Sequence, residues 1–412
     1  MSPLPELALA AIVAAGSAAV TRADPRGARR TAAGLLTAAV VVSAVLWTGD
    51  AGGWPTVVAF AVALVAVSVA PVAEHPSRVL GAILQVVAIS VAAAAAPHPA
   101  TAPIAWAALT AVVWLRLGGE TPVRRLLIIH HGPAVALLAA AALIGTRHPT
   151  AAGALGAAAV LLRWGVAPGH AWLPSLAEAA PAGLVVVYTV GTPLTLLALP
   201  EHLGAGGPLV AGVGAVTAMA AAGVAAVQRR VRRAVAWILV SQAGTLAIGL
   251  GAAGPATVRV GWCALAMAGA GLVMAVAAVE ARRGPLTLDE PAGAFGRFPR
   301  LAAGFLVAGL SVTAFPLLLG FSAESELLEA TAGTPLLWLP VLIAAAGNAV
   351  TVLRCYFALS TGGRAPGGQR DITRLEAYGL TVALVGLLVG GLAPPAHRAD
   401  PGLPPGAGVP YR

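Results

Sequence analysis

Apolar runs of 17 to 25 residues recur from one end of this 412-residue chain to the other, and each is long enough to cross the ~30 Å hydrocarbon core of a bilayer as a helix. In lipid every backbone N–H and C=O needs a partner inside the protein, so runs of this length must coil into helices. The predicted fold class is therefore all-α, a polytopic membrane protein. Runs between breaker and charge clusters fall near 4–20, 31–48, 54–73, 78–96, 101–117, 124–145, 151–167, 182–199, 207–227, 231–251, 258–280, 300–317, 334–358 and 377–394, about fourteen spans. The first run lacks a basic n-region and is followed by Arg22, Arg26, Arg29 and Arg30, so it reads as a transmembrane helix rather than a cleaved leader.

Charge supports that order of spans. All 25 basic residues are arginine, and the formal net charge is +9. In a soluble chain this balance would suggest nucleic acid, but here the arginines sit in short loops, where membrane orientation explains them. Nucleic acid is discounted as a partner. Loops after odd-numbered spans hold Arg124, Arg125, Arg229, Arg230, Arg232, Arg233, Arg282, Arg283, Arg370 and Arg374, while the opposite side holds Arg147, Arg259, Arg398 and Arg412. The asymmetry predicts odd loops inside and both termini outside. Loops of about twenty residues, 281–299 and 359–376, leave no room for a soluble domain, so partners must dock on helices or short loops. The Pro- and Gly-rich tail 395–412 is expected to be disordered.

Catalytic signatures are missing. Cys263 and Cys355 fall in separate spans without CxxC spacing, which supports neither a cluster nor a structural zinc. There is no Walker loop, strand-borne GxGxxG, HExxH or nucleophile elbow. No cofactor and no metal are expected, and no catalytic centre of the chain's own.

One stretch interrupts the pattern. GVAPGHAWLPSLAEAAP, residues 165–181, sets Pro168, Pro174 and Pro181 between two apolar spans, which predicts a broken helix. Broken helices at membrane depth mark ion or substrate paths. PGHAWLPSLAEAAP also resembles the PxHxWLPDAxxxAP signature of the antiporter-like membrane subunits of respiratory complex I (the L, M and N subunits of NADH-quinone oxidoreductase), Mrp antiporters and membrane-bound hydrogenases. RVRRAVAWILVSQAG, 230–244, is similar to that family's DxKRxxAYSSISQxG. FPRLAAGFLVAGLSVTAFPLLLGFSAESELLEA, 298–330, resembles its Gly/Pro-broken helix followed by GFxxKxxLL, with Phe315, Pro316, Gly320, Phe321 and Glu324 in register.

The resemblance implies a divergent member in the bacterial inner membrane, with other membrane subunits of a redox-driven or antiporter complex and the lipid bilayer as partners. It implies N-terminal helices over 1–100, a first antiporter-like repeat over 101–257 with its broken helix near 163–181, and an inverted second repeat over 258–394. Flavin, clusters and quinone chemistry would reside in partners.

Family members are thought to pass protons along a mid-membrane line of ionisable groups, and only part of that line survives here. The lysine of span 7 maps onto Arg163, which keeps the charge but holds its proton; a snorkelling arginine is the alternative. The span 8 lysine falls near Leu194 and the span 11 histidine near Leu265, and span 5 has no acid, the nearest being Glu120. The remaining proton-path candidates are Arg163, His170, Glu178, His130, His131 and Glu324. His130 and His131 lie on adjacent helix faces, a poor metal pair suited to packing. His170 and Glu178 fit a polar pocket beside the break, or a plug that satisfies its freed backbone. Arg232 and Arg233 form a cytoplasmic basic pair, equally explained as anchors. Glu324 fits an exit path or a favourable site near a helix N-terminus. Arg354 reads as an interfacial arginine. Three functions remain open: a proton- or cation-translocating subunit with a reduced relay, a non-conducting structural subunit, and half of a two-part ion or bicarbonate transporter.

Overall fold

The computed structural model describes residues 3–46, 54–96, 98, 100–118, 121–197, 207–362 and 370–393. The tail expectation for 395–412 and Glu120 lie outside them. The described helices are α1 (Leu4–Arg22), α2 (Pro25–Leu46), α3 (Trp54–Val69), α4 (Ser77–Ala95), α5 (Thr101–Arg116), α6 (Pro122–Ile144), α7 (Pro149–Trp164), α8 (Trp172–Ala179) and α9 (Ala182–Leu197). They continue as α10 (Gly207–Ala226), α11 (Val231–Ala253), α12 (Pro255–Arg283), α13 (Ala294–Arg297), α14 (Pro299–Val312), α15 (Leu319–Thr331), α16 (Pro335–Ser360) and α17 (Arg374–Leu392). The chain is all-helical; among the described residues the one β-type pairing is an isolated bridge, Arg230 to Thr287. Among the described residues, ten helical stretches are long and apolar enough to cross a membrane.

Prolines begin many of these helices, including α6, α7, α12, α14 and α16, where the missing N–H would have had no partner. Burial separates the centre from the rim. In α12, 89% of the apolar window is buried, against 28% for α1, α2, α6 and α17, so α12 runs through the middle of the bundle and the others form its wall. Small residues set the tightest crossing. Gly214 on α10 and Gly244 on α11 face each other so closely that a Cβ on Gly244 would lie 2.6 Å from the Ala218 nitrogen, the close approach that Gly and Ala allow between membrane helices.

Arginines also finish helix ends. Arg354, expected from the sequence to be interfacial, donates from α16 to the carbonyls of Ala226 and Gln228, each at 2.7 Å, at the end of α10. Those carbonyls have no intrahelical donor, so the guanidinium satisfies them. Arg29 does the same for Val67 and Ser68 at the end of α3. Arg282 meets both oxygens of Glu376, at 2.9 and 2.8 Å, joining α12 to the capping box that starts α17.

A candidate ion path between two helix breaks

The first break follows from its glycine and prolines. α7 ends at Gly165, whose φ of 74° is left-handed, a conformation glycine adopts without a side-chain clash. The Ala167–Pro168 peptide is cis, a short 3₁₀ turn spans Gly169–Ala171, and α8 and α9 follow. Pro174 is the third residue of α8 and Pro181 immediately precedes α9, positions whose N–H groups have no partner within the helix.

The freed backbone is satisfied from elsewhere. Ala167 N–H donates to Thr217 Oγ1 on α10 at 3.2 Å, and Gly183 N–H in the first turn of α9 donates to His75 Nε2 at 2.9 Å. His75 lies in the loop between α3 and α4 and is 2% exposed. Its Nδ1 donates to the Pro71 carbonyl at 2.9 Å, so the ring is neutral with its proton on Nδ1. Burial pushes its pKa down to about 4, opposed in part by the Pro71 bond and the Glu74 charge. Thr217 and His75 thus each take up one backbone N–H at the break.

Arg163 points inward from the last turn of α7 and is 1% exposed; that burial rules out snorkelling. A cation there sits favourably at the negative end of the helix dipole. Its Nη1 donates to Thr110 Oγ1 on α5 at 2.6 Å, and its guanidinium lies 4.7 Å from the Tyr188 ring centroid and 5.6 Å from that of Trp106. Tyr188 on α9 shares a hydrogen bond with Thr110 at 3.2 Å and with His131 Nδ1 at 2.5 Å. The edge of Trp172 packs on His131, centroids 4.6 Å apart. Five helices thus converge on one polar cluster: Arg163, Thr110, His131 and Tyr188, walled by Trp106 and Trp172.

Other sequence candidates stand apart from it. His130 is half-buried on a different face of α6. His170 stacks against Trp237, centroids 5.4 Å apart, while Glu178 faces Arg230 at 3.5 Å and Arg233 at 3.9 Å. The two side chains thus meet different neighbours. Glu178 instead lines a cavity of about 390 Å³ with Glu74, Arg230, Arg232, Glu280, Leu286 and Thr287. Arg232 is held there between Glu280 and Glu74, the latter at 2.5 Å, which makes it part of an ion-pair network rather than a lipid anchor. Leu194 is buried.

The second break lies between α14 and α15. Ala314 and Leu317 both take positive φ, 53° and 72°, and Gly320 N–H donates to Ser311 Oγ at 3.2 Å across the gap. Glu324 follows on α15. Because the helix starts at Leu319, Glu324 lies in its second turn, beyond the stretch where a helix N-terminus strongly favours an acid. It lines a cavity of about 40 Å³ with Gln242, Thr245, Thr257 and Ser311, whereas Arg163 borders one of about 30 Å³ with Trp164, Trp172, Thr189 and Trp262. Either volume exceeds the ~10–15 Å³ one water requires.

Thr110, Tyr188, His75 and Thr217 were not identified by sequence reasoning. A hydroxyl alone in an apolar span, as Thr110 is in IAWAALTAVVW, was the available signal.

Comparison with known proteins places the sequence and the fold. Residues 136–348, a little over half of the chain, match the family described as NADH:quinone oxidoreductase/Mrp antiporter, transmembrane. NADH-quinone oxidoreductase subunit N of Chloroflexus aggregans is 27% identical over 263 residues, which cover 58% of this chain and 53% of that protein. The chain spans about half the length of the curated relatives it matches. In fold it is similar to a chain of respiratory complex I from Thermus thermophilus, with TM-score 0.82, 18% identity, and 94% of this chain and 95% of that one covered. It is also similar to a chain of the Mrp complex from Dietzia, with TM-score 0.79, 17% identity and 94% of each chain covered. The chain belongs to the NADH:quinone oxidoreductase/Mrp antiporter transmembrane family.

Proposed function

We propose that the chain is a membrane subunit of a complex I-related or Mrp-type assembly and contributes to proton or cation translocation with a reduced set of relay groups. In this reading it crosses a bacterial inner membrane about fourteen times with both termini outside. The first break belongs to a repeat over 101–257 and the second to an inverted repeat over 258–394. Its partners are the other membrane subunits of that assembly.

The observation that carries this reading is the burial of Arg163 in a bonded network beside a broken helix. A charge at membrane depth is costly, and such residues face interiors or water-filled cavities where ions move. Arg163 keeps its proton, so it serves as a fixed positive charge. The groups able to exchange protons are the His131–Tyr188 pair beside it and Glu324 at the second break.

A structural, non-conducting subunit is the second reading, favoured by Leu194 and Leu265 where relay groups would be expected. Proton flux separates the two. In vesicles holding the complete assembly, read with a pH-sensitive dye, Arg163→Met and Glu324→Gln should each cut flux severalfold while assembly persists. Unchanged flux in both variants would assign the chain to bracing.

A further inference from the structure

The cavity beside Arg163 and the cavity beside Glu324 share two lining residues, Leu246 and Leu265. Leu246 belongs to α11 and Leu265 to α12, and both helices pass from one cavity to the other at these leucines. On α11, Leu239 and Ala243 line the Arg163 side, and Gln242, Thr245 and Gly249 the Glu324 side. On α12, Ala266 and Gly269 face the first cavity, and Gly261 and Ala264 the second. Gly261 permits the arrangement, because a Cβ there would lie 2.7 Å from Leu246 Cδ2; Leu246 packs into the space a side chain would take.

Polar groups are distributed on either side of this layer. The first cavity has Arg163 and Thr189, and the second has Gln242, Thr245, Thr257, Ser311 and Glu324. Water in either cavity finds hydrogen-bonding partners, whereas the two leucine side chains between them supply none. A buried water needs about two to four such partners, and apolar constrictions in membrane pores close by excluding it.

We propose that Leu246 and Leu265 form a one-side-chain-thick apolar barrier that sets the rate at which a proton passes between the two cavities. The inference rests on the translocating reading above. A proton crossing it leaves water on the Arg163 side, is accepted by water on the other, and converts the Glu324 carboxylate to a carboxyl group. That group returns to carboxylate by releasing the proton to the outer solution.

The test uses one position and two opposite changes, in vesicles holding the complete assembly. Leu265→Gln places hydrogen-bonding groups in the barrier and should raise flux severalfold. Leu265→Phe fills the barrier and should lower it severalfold. Packing damage alone would lower flux in both variants, so opposite movements report the barrier rather than general damage. If Leu265→Gln does not assemble, Leu246→Ala, which only removes volume, should raise flux in its place. Flux unmoved by the leucine variants but lost in Glu324→Gln would overturn the barrier and leave the translocating reading standing. Flux unmoved in all of them would overturn both.

Discussion

At the first break the chain leaves α7 through Gly165 and re-enters helix at Trp172, with Thr217 and His75 reaching in from other elements to take up the freed N–H groups. At the second it leaves α14 at Val312 and turns through Ala314 and Leu317, non-glycine residues in a region that costs ~1–2 kcal/mol apiece. That turn is held by close backbone packing: a Cβ on Gly320 would overlap the Ser311 carbonyl, and one on Gly391 of α17 would overlap the Leu317 carbonyl. Hydrogen bonds from a distance support both breaks, since Gln242 Nε2 donates to the Val312 carbonyl at 3.1 Å at the second, and contact at glycine surfaces is tightest at the second. The two also hold ionisable groups of opposite type, the basic Arg163 at the first and the acidic Glu324 at the second. Discontinuity in a helix therefore fixes neither the type of the group beside it nor the means of support.

The largest effect that sharpens this contrast is predicted from alanine at each glycine. Gly320→Ala forces a methyl onto backbone that cannot yield, so it should exceed the ~1–3 kcal/mol of ordinary overpacking and prevent accumulation of folded protein in the membrane. Gly165→Ala meets nothing closer than 3.5 Å and costs only its left-handed φ, ~1–2 kcal/mol. Membrane-fraction yield and the thermal midpoint in detergent would show it. Equal losses at both positions would mean that the breaks are supported alike.

Acid should act next, and through the first break. His75 is bound neutral with its pKa lowered to about 4, below the ~6.5 of the unfolded chain. The unfolded state therefore binds a proton that the folded state refuses. The stabilisation is complete above pH 6.5 and is lost progressively as pH falls from there toward 4, by about 3 kcal/mol in full at ~1.4 kcal/mol per pKa unit. The Gly183 N–H loses its acceptor in the process. Thermal midpoints between pH 7.5 and 4.5 should fall in the wild type and flatten in His75→Gln. A slope that survives the substitution would place the acid sensitivity elsewhere.

The first break was legible in the residues, because proline acts locally and Pro168, Pro174 and Pro181 mark it; the second, at Pro316 and Gly320, was expected from the family resemblance. Arg163 and Glu324 were legible as ionisable groups in apolar surroundings. Their partners were not. Thr110 lies 53 positions from Arg163 and Gly183 lies 108 from His75, and no periodicity connects residues at such separations. Thr110 also bonds back to the Trp106 carbonyl, as helical threonines commonly do, so its hydroxyl signalled a polar group in the span without naming Arg163 as its partner. His170 and Glu178 show the converse. Eight positions apart in one motif, they are divided by a 3₁₀ turn and a helix and come to rest against Trp237 and against Arg230 and Arg233.

The smallest effect concerns the far end of the first break, where Glu178 near the end of α8 faces Arg230 and Arg233. Both arginines are well exposed, with 70% and 49% of their side chains accessible, and their distances to the carboxylate, 3.5 and 3.9 Å, are long for a charge-assisted hydrogen bond. Pairs of this kind contribute ~0–1 kcal/mol and weaken with salt. Arg230→Ala and Arg233→Ala should therefore shift the thermal midpoint in detergent only slightly, and the difference should vanish at high salt. The buried hydrogen bonds of His75 and Thr217 would then be what holds the break. A salt-resistant loss as large as that of Gly320→Ala would transfer the support to the ion pairs, and the first break would be fastened by charge as firmly as the second is by packing.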